Sequence, residues 1–232
     1  QVEQLVERYA LELGGSCSIF ACQAAKLGLR VGILGRVGDD DFGRLIPRRL
    51  DESGVYTRHI VVDPSLKTGL GIALCKDDDR AILTYMGSIN VLGPGDVSEA
   101  FMASARHLHY GSFFLHTGLR PHAPALLQRA RDLGLSVSLD TNWDPEERWN
   151  TTLHAALAHA DIVFPNEREA LLIAGCADVE RAAAWFRARG VPLIAVKRGE
   201  LAAISSTCAM PAAVSMISSS PICFCRPFAV SM

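Results

Sequence analysis

A chain of 232 residues, 49% hydrophobic and 21% charged, carries enough apolar material for one large domain with a real core. Its formal net charge of -2 provides no basic groove for nucleic acid and no polybasic surface for a membrane, although a local site for a small anion stays open. The 7 cysteines are odd in number and irregular in spacing, which argues against a disulfide framework and for a reducing, cytoplasmic setting.

The N-terminus, Gln1 to Tyr9, is polar and unlike a secretory signal, and the lack of an initiator Met fits a chain that begins inside a longer protein. No segment reaches the roughly 18 apolar residues of a membrane helix. Cys17 to Leu27 is small and apolar and predicts a buried helix. Leu29 to Val37, β-branched and flanked by glycines, predicts an inner strand. Asp41 to Ser53 is amphipathic, with Gly54 as its stop. Three extended stretches follow, Thr57 to Val62, Thr68 to Cys75 and Arg80 to Met86, with Asp77 to Asp79 as a turn. They predict a small antiparallel sheet, over about residues 57–90, set into an alternating fold.

Alternation then resumes. Strands are expected at Leu108–Phe113, Leu135–Leu139, Ile162–Phe164 and Leu193–Val196. Helices are expected at Ala123–Leu133, Thr152–Ala158, Glu167–Ile173 and Val179–Arg189. This spacing implies βαβ units, a mainly parallel sheet and a three-layer α/β/α sandwich with one β appendage over residues 1–200. From Leu201 to Met232 the only charged residue is Arg226, and neither periodicity persists. That tail is expected to be disordered or poorly packed.

Parallel sheets bind ligands beyond the carboxyl ends of their strands, so residues following each strand and the glycine turns beside them carry the functional reading. Gly14-Gly15-Ser16 opens a helix, where free N–H groups could meet hydroxyls or anions, but taken alone the pair is better explained as a tight turn without ligand. Gly38-Asp39-Asp40-Asp41-Phe42-Gly43 reads as a helix start with acidic caps. Asp140-Thr141-Asn142-Trp143-Asp144 follows a strand and either lines a site or caps a turn before Pro145. Asn166 and Glu169, three apart at a helix start, could hold hydrated Mg²⁺ and nucleotide phosphate, but a capping box has the same spacing. Lys197 and Gly199 end another strand and could meet phosphate, or form a surface turn. Cys223-x-Cys225 has no second Cys pair or His motif after it, and His107-x-His109 has no Cys or carboxylate at useful sequence spacing; both read as incidental, the histidines as strand residues near the sheet rim. No G-x-x-x-x-G-K-[ST] loop and no complete G-x-G-x-x-G occur, which excludes a P-loop enzyme and a Rossmann dehydrogenase.

The order of these segments is more specific than any one of them. GGSCSIFACQAAKLGLRVGILGRVGDDDFGR, then TGLGIAL, RAILTYMGSIN, SLDTNWDPEERW, DIVFPNEREALLIAG and IAVKRGE resemble, from Leu11 to Glu200, the PfkB (ribokinase-like) carbohydrate kinases. The resemblance implies transfer of the ATP γ-phosphoryl group to a sugar hydroxyl with Mg²⁺, a β lid over the sugar, and a homodimer contact through that lid. It implies that Gly14, Gly15 and Ser16 contact sugar, with Asp140 and Asn142 near the transferring phosphate. Asn166 and Glu169 would organise Mg²⁺ and phosphate, Glu169 through water, and Lys197 and Gly199 would begin the nucleotide site.

Three departures stand out. The family's first strand is expected before Gln1. Ile19 stands where the family often has Asn. The family's D-T-x-G-A-G-D signature, with its catalytic Asp, is missing, and no Asp follows Asp178. The resemblance therefore implies a kinase by descent with negligible turnover as this chain. The alternatives are a non-catalytic sugar- or partner-binding remnant, a nucleoside kinase of the same family and a fold-defective fragment.

Overall fold

The structure, a computed structural model, describes residues 6–76, 79–149, 151–198, 203–206 and 222–226. Its first helix, α1 (Ser16–Lys26), packs Cys17, Ala21, Cys22 and Ala24 against Val31 and Ile33 of strand β1 (Arg30–Gly38). Leu34 of the same strand enters the other, larger core. Alternation thus buries β1 on both faces, as its near-continuous apolar sequence requires.

Helix α2 (Asp41–Glu52) returns the chain to strand β2 (Tyr56–Asp63), which lies parallel to β1 at the sheet edge. This corrects the expectation that Thr57–Val62 belongs to the small antiparallel sheet: a strand–helix–strand unit places its second strand beside its first. The small sheet is the hairpin of β3 (Leu70–Lys76) and β4 (Asp79–Tyr85) alone. Asp77 and Asp78 of its expected turn lie outside the described residues.

The remaining core elements are α3 (Glu99–Ala103), β5 (His107–Tyr110), α4 (Ala123–Asp132), β6 (Ser136–Leu139), α5 (Thr151–Leu157), β7 (Ile162–Val163), α6 (Glu167–Ala174), α7 (Val179–Arg187) and β8 (Leu193–Val196). Phe113, expected at the end of a strand, instead begins a 3-10 turn, because Ser112 before it takes φ 49° and breaks the extended run. Two pieces of the tail are strands, β9 (Ala203–Ser206) and β10 (Ile222–Arg226). The rest of residues 201–232 lies outside the described residues.

The large sheet has 8 strands in the order β2-β1-β10-β5-β6-β7-β8-β9. Neighbours β1–β2, β5–β6, β6–β7 and β7–β8 are parallel. Strand β9 runs antiparallel to β8, and β10 lies antiparallel between β1 and β5. The fold is a three-layer α/β/α sandwich with a β hairpin attached. Leu108, Tyr110, Val137, Leu139 and Val163 build the main core on one side of the sheet. On the α1 side, His109 is buried and stacks on Phe20 at 4.1 Å, which corrects its expected place near the rim.

Candidate active site

Parallel pairing brings the carboxyl ends of β5, β6, β7 and β8 to one edge of the sheet. Past β6, Asp140 is buried, and its Oδ1 accepts a hydrogen bond from Lys197 Nζ at 2.7 Å, across from the end of β8. Burial pushes the Asp140 carboxyl above its usual range, while Lys197 pulls it back down. Its second oxygen, Oδ2, is buried without a donor among the described residues.

Beside it, Thr141 Oγ1 donates to Glu169 Oε2 at 2.9 Å. Asn166 caps α6: its Oδ1 accepts from Glu169 N at 2.8 Å, while its own N–H donates to Glu169 Oε2 at 2.9 Å and its Nδ2 to Oε1 at 2.7 Å. The capping box is therefore built. Glu169 is nevertheless 3% exposed, and burial raises its pKa against the opposing pull of the Asn166 N–H, Lys197 and Thr141. An ordinary helix cap sits at the surface; this one is buried within a cluster of two carboxylates and one ammonium. The loop after β7 and the end of β8 are stitched by a bridge between Asn166 and Lys197, with Glu167 N donating to Lys197 O at 3.1 Å.

The glycine turn joins the same edge. Gly15 takes φ 84° and caps α1, whose first residue, Ser16, is buried with its Oγ 2.8 Å from Ser112 Oγ. Ser112 follows β5, and Phe113 N next to it donates to Asp140 O at 3.2 Å. Asn142 holds φ 57°, a left-handed conformation that Asn tolerates better than most residues. Gly14 has open space where a Cβ would lie, and Gly199 lies outside the described residues. Of the sequence-predicted residues, Ser16, Asp140, Asn166, Glu169 and Lys197 are thus tied into one hydrogen-bonded rim with Gly15 and Asn142 in the adjoining backbone.

Two members were missed. Thr141 lies two residues past β6, where the criterion that selected the other residues applies, and stood inside a quoted motif; Ser112 fell inside the expected strand Leu108–Phe113, so that criterion passed over it. Arg168 lies over the Trp143 ring at 4.6 Å, a pairing of helix and loop that spacing does not reveal.

Residues 1–217 match the model of the pfkB family carbohydrate kinases. The chain belongs to the PfkB family. It is 33% identical over 159 residues to an ATP-dependent ribose-1-phosphate kinase of Halopiger xanaduensis, covering 67% of this chain and 50% of that one. It is 28% identical over 210 residues to a 5-dehydro-2-deoxygluconokinase of Geobacillus thermodenitrificans, covering 84% of this chain and 62% of the relative. The chain thus spans about half, or somewhat more, of the length of these curated relatives. A putative ribokinase II of E. coli, solved in complex with ATP and Mg²⁺, superimposes with a TM-score of 0.75 at 29% identity, over 89% of this chain and 70% of that one.

Proposed function

We propose that this PfkB chain is the sugar- and phosphate-binding part of an ATP-dependent sugar kinase, and that the chain as it stands turns over negligibly. The observation that supports the binding site is the buried Asp140–Lys197 pair beside the buried Thr141–Glu169–Asn166 cluster, at the same sheet edge as the Gly14-Gly15-Ser16 turn. Gly14, Gly15, Ser16 and Asn142 offer backbone and side-chain groups to a polyol. Lys197, with Gly199 beyond it, supplies positive charge toward nucleotide phosphate.

The cluster fits a hydrated divalent cation. Oδ2 of Asp140 lacks a donor among the described residues, and water around a metal would supply one. Glu169 already accepts from Thr141 and twice from Asn166, so it suits contact through water rather than direct ligation. Mg²⁺, when bound there, neutralises charge on the phosphates. Asn166 and Thr141 fix Glu169 and oppose the burial that raises its pKa, and Lys197 does the same for Asp140.

Negligible turnover follows from chemistry. Transfer to a hydroxyl needs a base for its proton and donors for the developing negative charge. No Asp follows Asp178 to act as the family's base, and loss of a positioned base costs about 10²–10⁴-fold. A coupled ADP-release assay over fructose, ribose, ribose 1-phosphate, 2-keto-3-deoxygluconate and a nucleoside panel is expected to show no Mg²⁺-dependent turnover, whereas titration calorimetry should show sugar binding that Gly15→Val abolishes. Robust turnover would refute inactivity; absence of any sugar or nucleotide binding would refute the site.

The hairpin exposes apolar residues on strands β3 and β4: Ile72 is 48%, Leu74 52%, Leu83 58% and Tyr85 55% accessible. These support a lid that also meets a second copy, and light scattering of the chain against an Ile72→Asp/Leu83→Asp variant tests it.

A further inference from the structure

The loop between β6 and α5 is held in an unfavourable backbone shape. Three of the four non-glycine residues with positive φ among the described residues lie in it: Asn142 at 57°, Glu147 at 51° and Trp149 at 47°. For a side chain as bulky as Trp that conformation is an outlier, and it persists only where the surroundings enforce it. Asp144 enforces it from inside the loop. It is fully buried; its Oδ1 accepts from Glu146 N at 3.0 Å, and its Oδ2 accepts from Arg148 N and Trp149 N, each at 2.9 Å. The Trp149 indole is wedged between Phe114, at 5.4 Å, and Trp143, at 5.1 Å, edge to face with both.

What this construction fixes is the Trp143 ring, and over that ring, 4.6 Å from its centroid, lies the Arg168 guanidinium. Arg168 is exposed and is the second residue of α6, one place before Glu169. A cation in the first turn opposes the helix dipole, so helix stability does not account for it. Its neighbours do not neutralise it either. Glu167 binds Arg198 through both oxygens, and Glu169 is bound to Thr141 and Asn166. Among the described residues no carboxylate pairs with Arg168, whereas Lys197 at the same rim is already paired with Asp140 at 2.7 Å.

We propose that Arg168 is the anion-recognising residue of the candidate kinase site, held over Trp143 to bind a phosphate group of the ligand, carried either by a nucleotide or by a phosphorylated sugar. This rests on the site reading given above. Contact with an aromatic ring holds a guanidinium without consuming its N–H donors, which remain for two oxygens of one phosphate. Trp143 is then a positioning residue, and the strained loop is what keeps it in place.

Titration calorimetry on the full chain tests this with three probes: ATP with Mg²⁺, ribose 1-phosphate and ribose. Arg168→Gln should weaken binding of a phosphate-bearing probe about 10–100-fold and leave ribose binding unchanged. Loss with ATP alone identifies the nucleotide as the source of the phosphate, and loss with ribose 1-phosphate alone identifies the sugar. Arg168→Lys, which keeps the charge but not the planar fork, should fall between. Trp143→Leu should weaken the same probe, and adding Arg168→Gln to it should cost less than Arg168→Gln alone. Arg131→Gln, a control at the opposite edge of the sheet where Arg131 pairs with Asp161, should bind as the parent does. Parent-like binding of both phosphate probes by Arg168→Gln overturns the proposal and leaves the site reading standing, as does equal loss of ribose binding in that variant. A parent chain that binds none of the three probes overturns both.

Discussion

Asn166 and Glu169 hold each other in both directions, so the pair is a helix cap and a buried cluster at once. Asn166→Ala should lower stability by about 1–2 kcal/mol in urea unfolding, the scale of losing a cap. The loss should be accompanied by weaker nucleotide binding, which an ordinary cap would not produce. The buried His109 and His116 and the partly buried His107 predict a pH dependence. His107 and His116 titrate at about 4 and His109 at about 3 in the folded chain, against an ordinary value of 6.5. The unfolded chain therefore binds more protons, and stability is complete above about pH 6.5 and falls as pH drops from there. Each histidine should contribute a slope of about 1.4 kcal/mol per pH unit. Urea midpoints measured between pH 7.5 and 5 should decline accordingly, and His116→Gln should flatten the decline by one proton.

Asp40 shows how a capping residue governs an element. It caps α2 through Gly43 N at 2.8 Å and also accepts from Thr68 N at 2.9 Å and Thr68 Oγ1 at 2.7 Å, at the base of the hairpin. These donors depress its pKa to about 2, the Thr68 N–H foremost. Gly43 belongs to the same junction, since a Cβ there would sit 1.9 Å from Gly38 O. Asp40→Ala should leave the sheet intact yet speed amide exchange in residues 66–70 at least tenfold, measured by exchange mass spectrometry. The sequence showed the acidic cap clearly, because cap spacing is local. It could not show Thr68, because that contact is 28 residues away. The same limit explains β2, whose alternation fits either sheet and whose partner is chosen by the α2 crossover.

At the scale of the molecule, alternating βαβ order was legible, and with it the layers and the edge on which the site lies. The place of β10 was not. Nothing in ICFCR distinguishes a central strand from a stray apolar run until β1 and β5 stand on either side of it. Phe224 pairs with Gly32 and Leu108, so Phe224→Pro should remove a ladder bond and cost about 3 kcal/mol. Exchange protection should fall at residues 30–34 and 107–110 while residues 136–139 stay protected.

The Ser16–Ser112 hydrogen bond at 2.8 Å crosses this same seam, tying the helix on the β1 flank to the turn after β5. A guest molecule that bound the glycine turn on one flank and the Asp140 rim on the other, as proposed, would act as a clamp across the two halves of the protein. Its melting point should therefore climb with the logarithm of guest concentration, and most steeply in variants whose middle strand has been loosened.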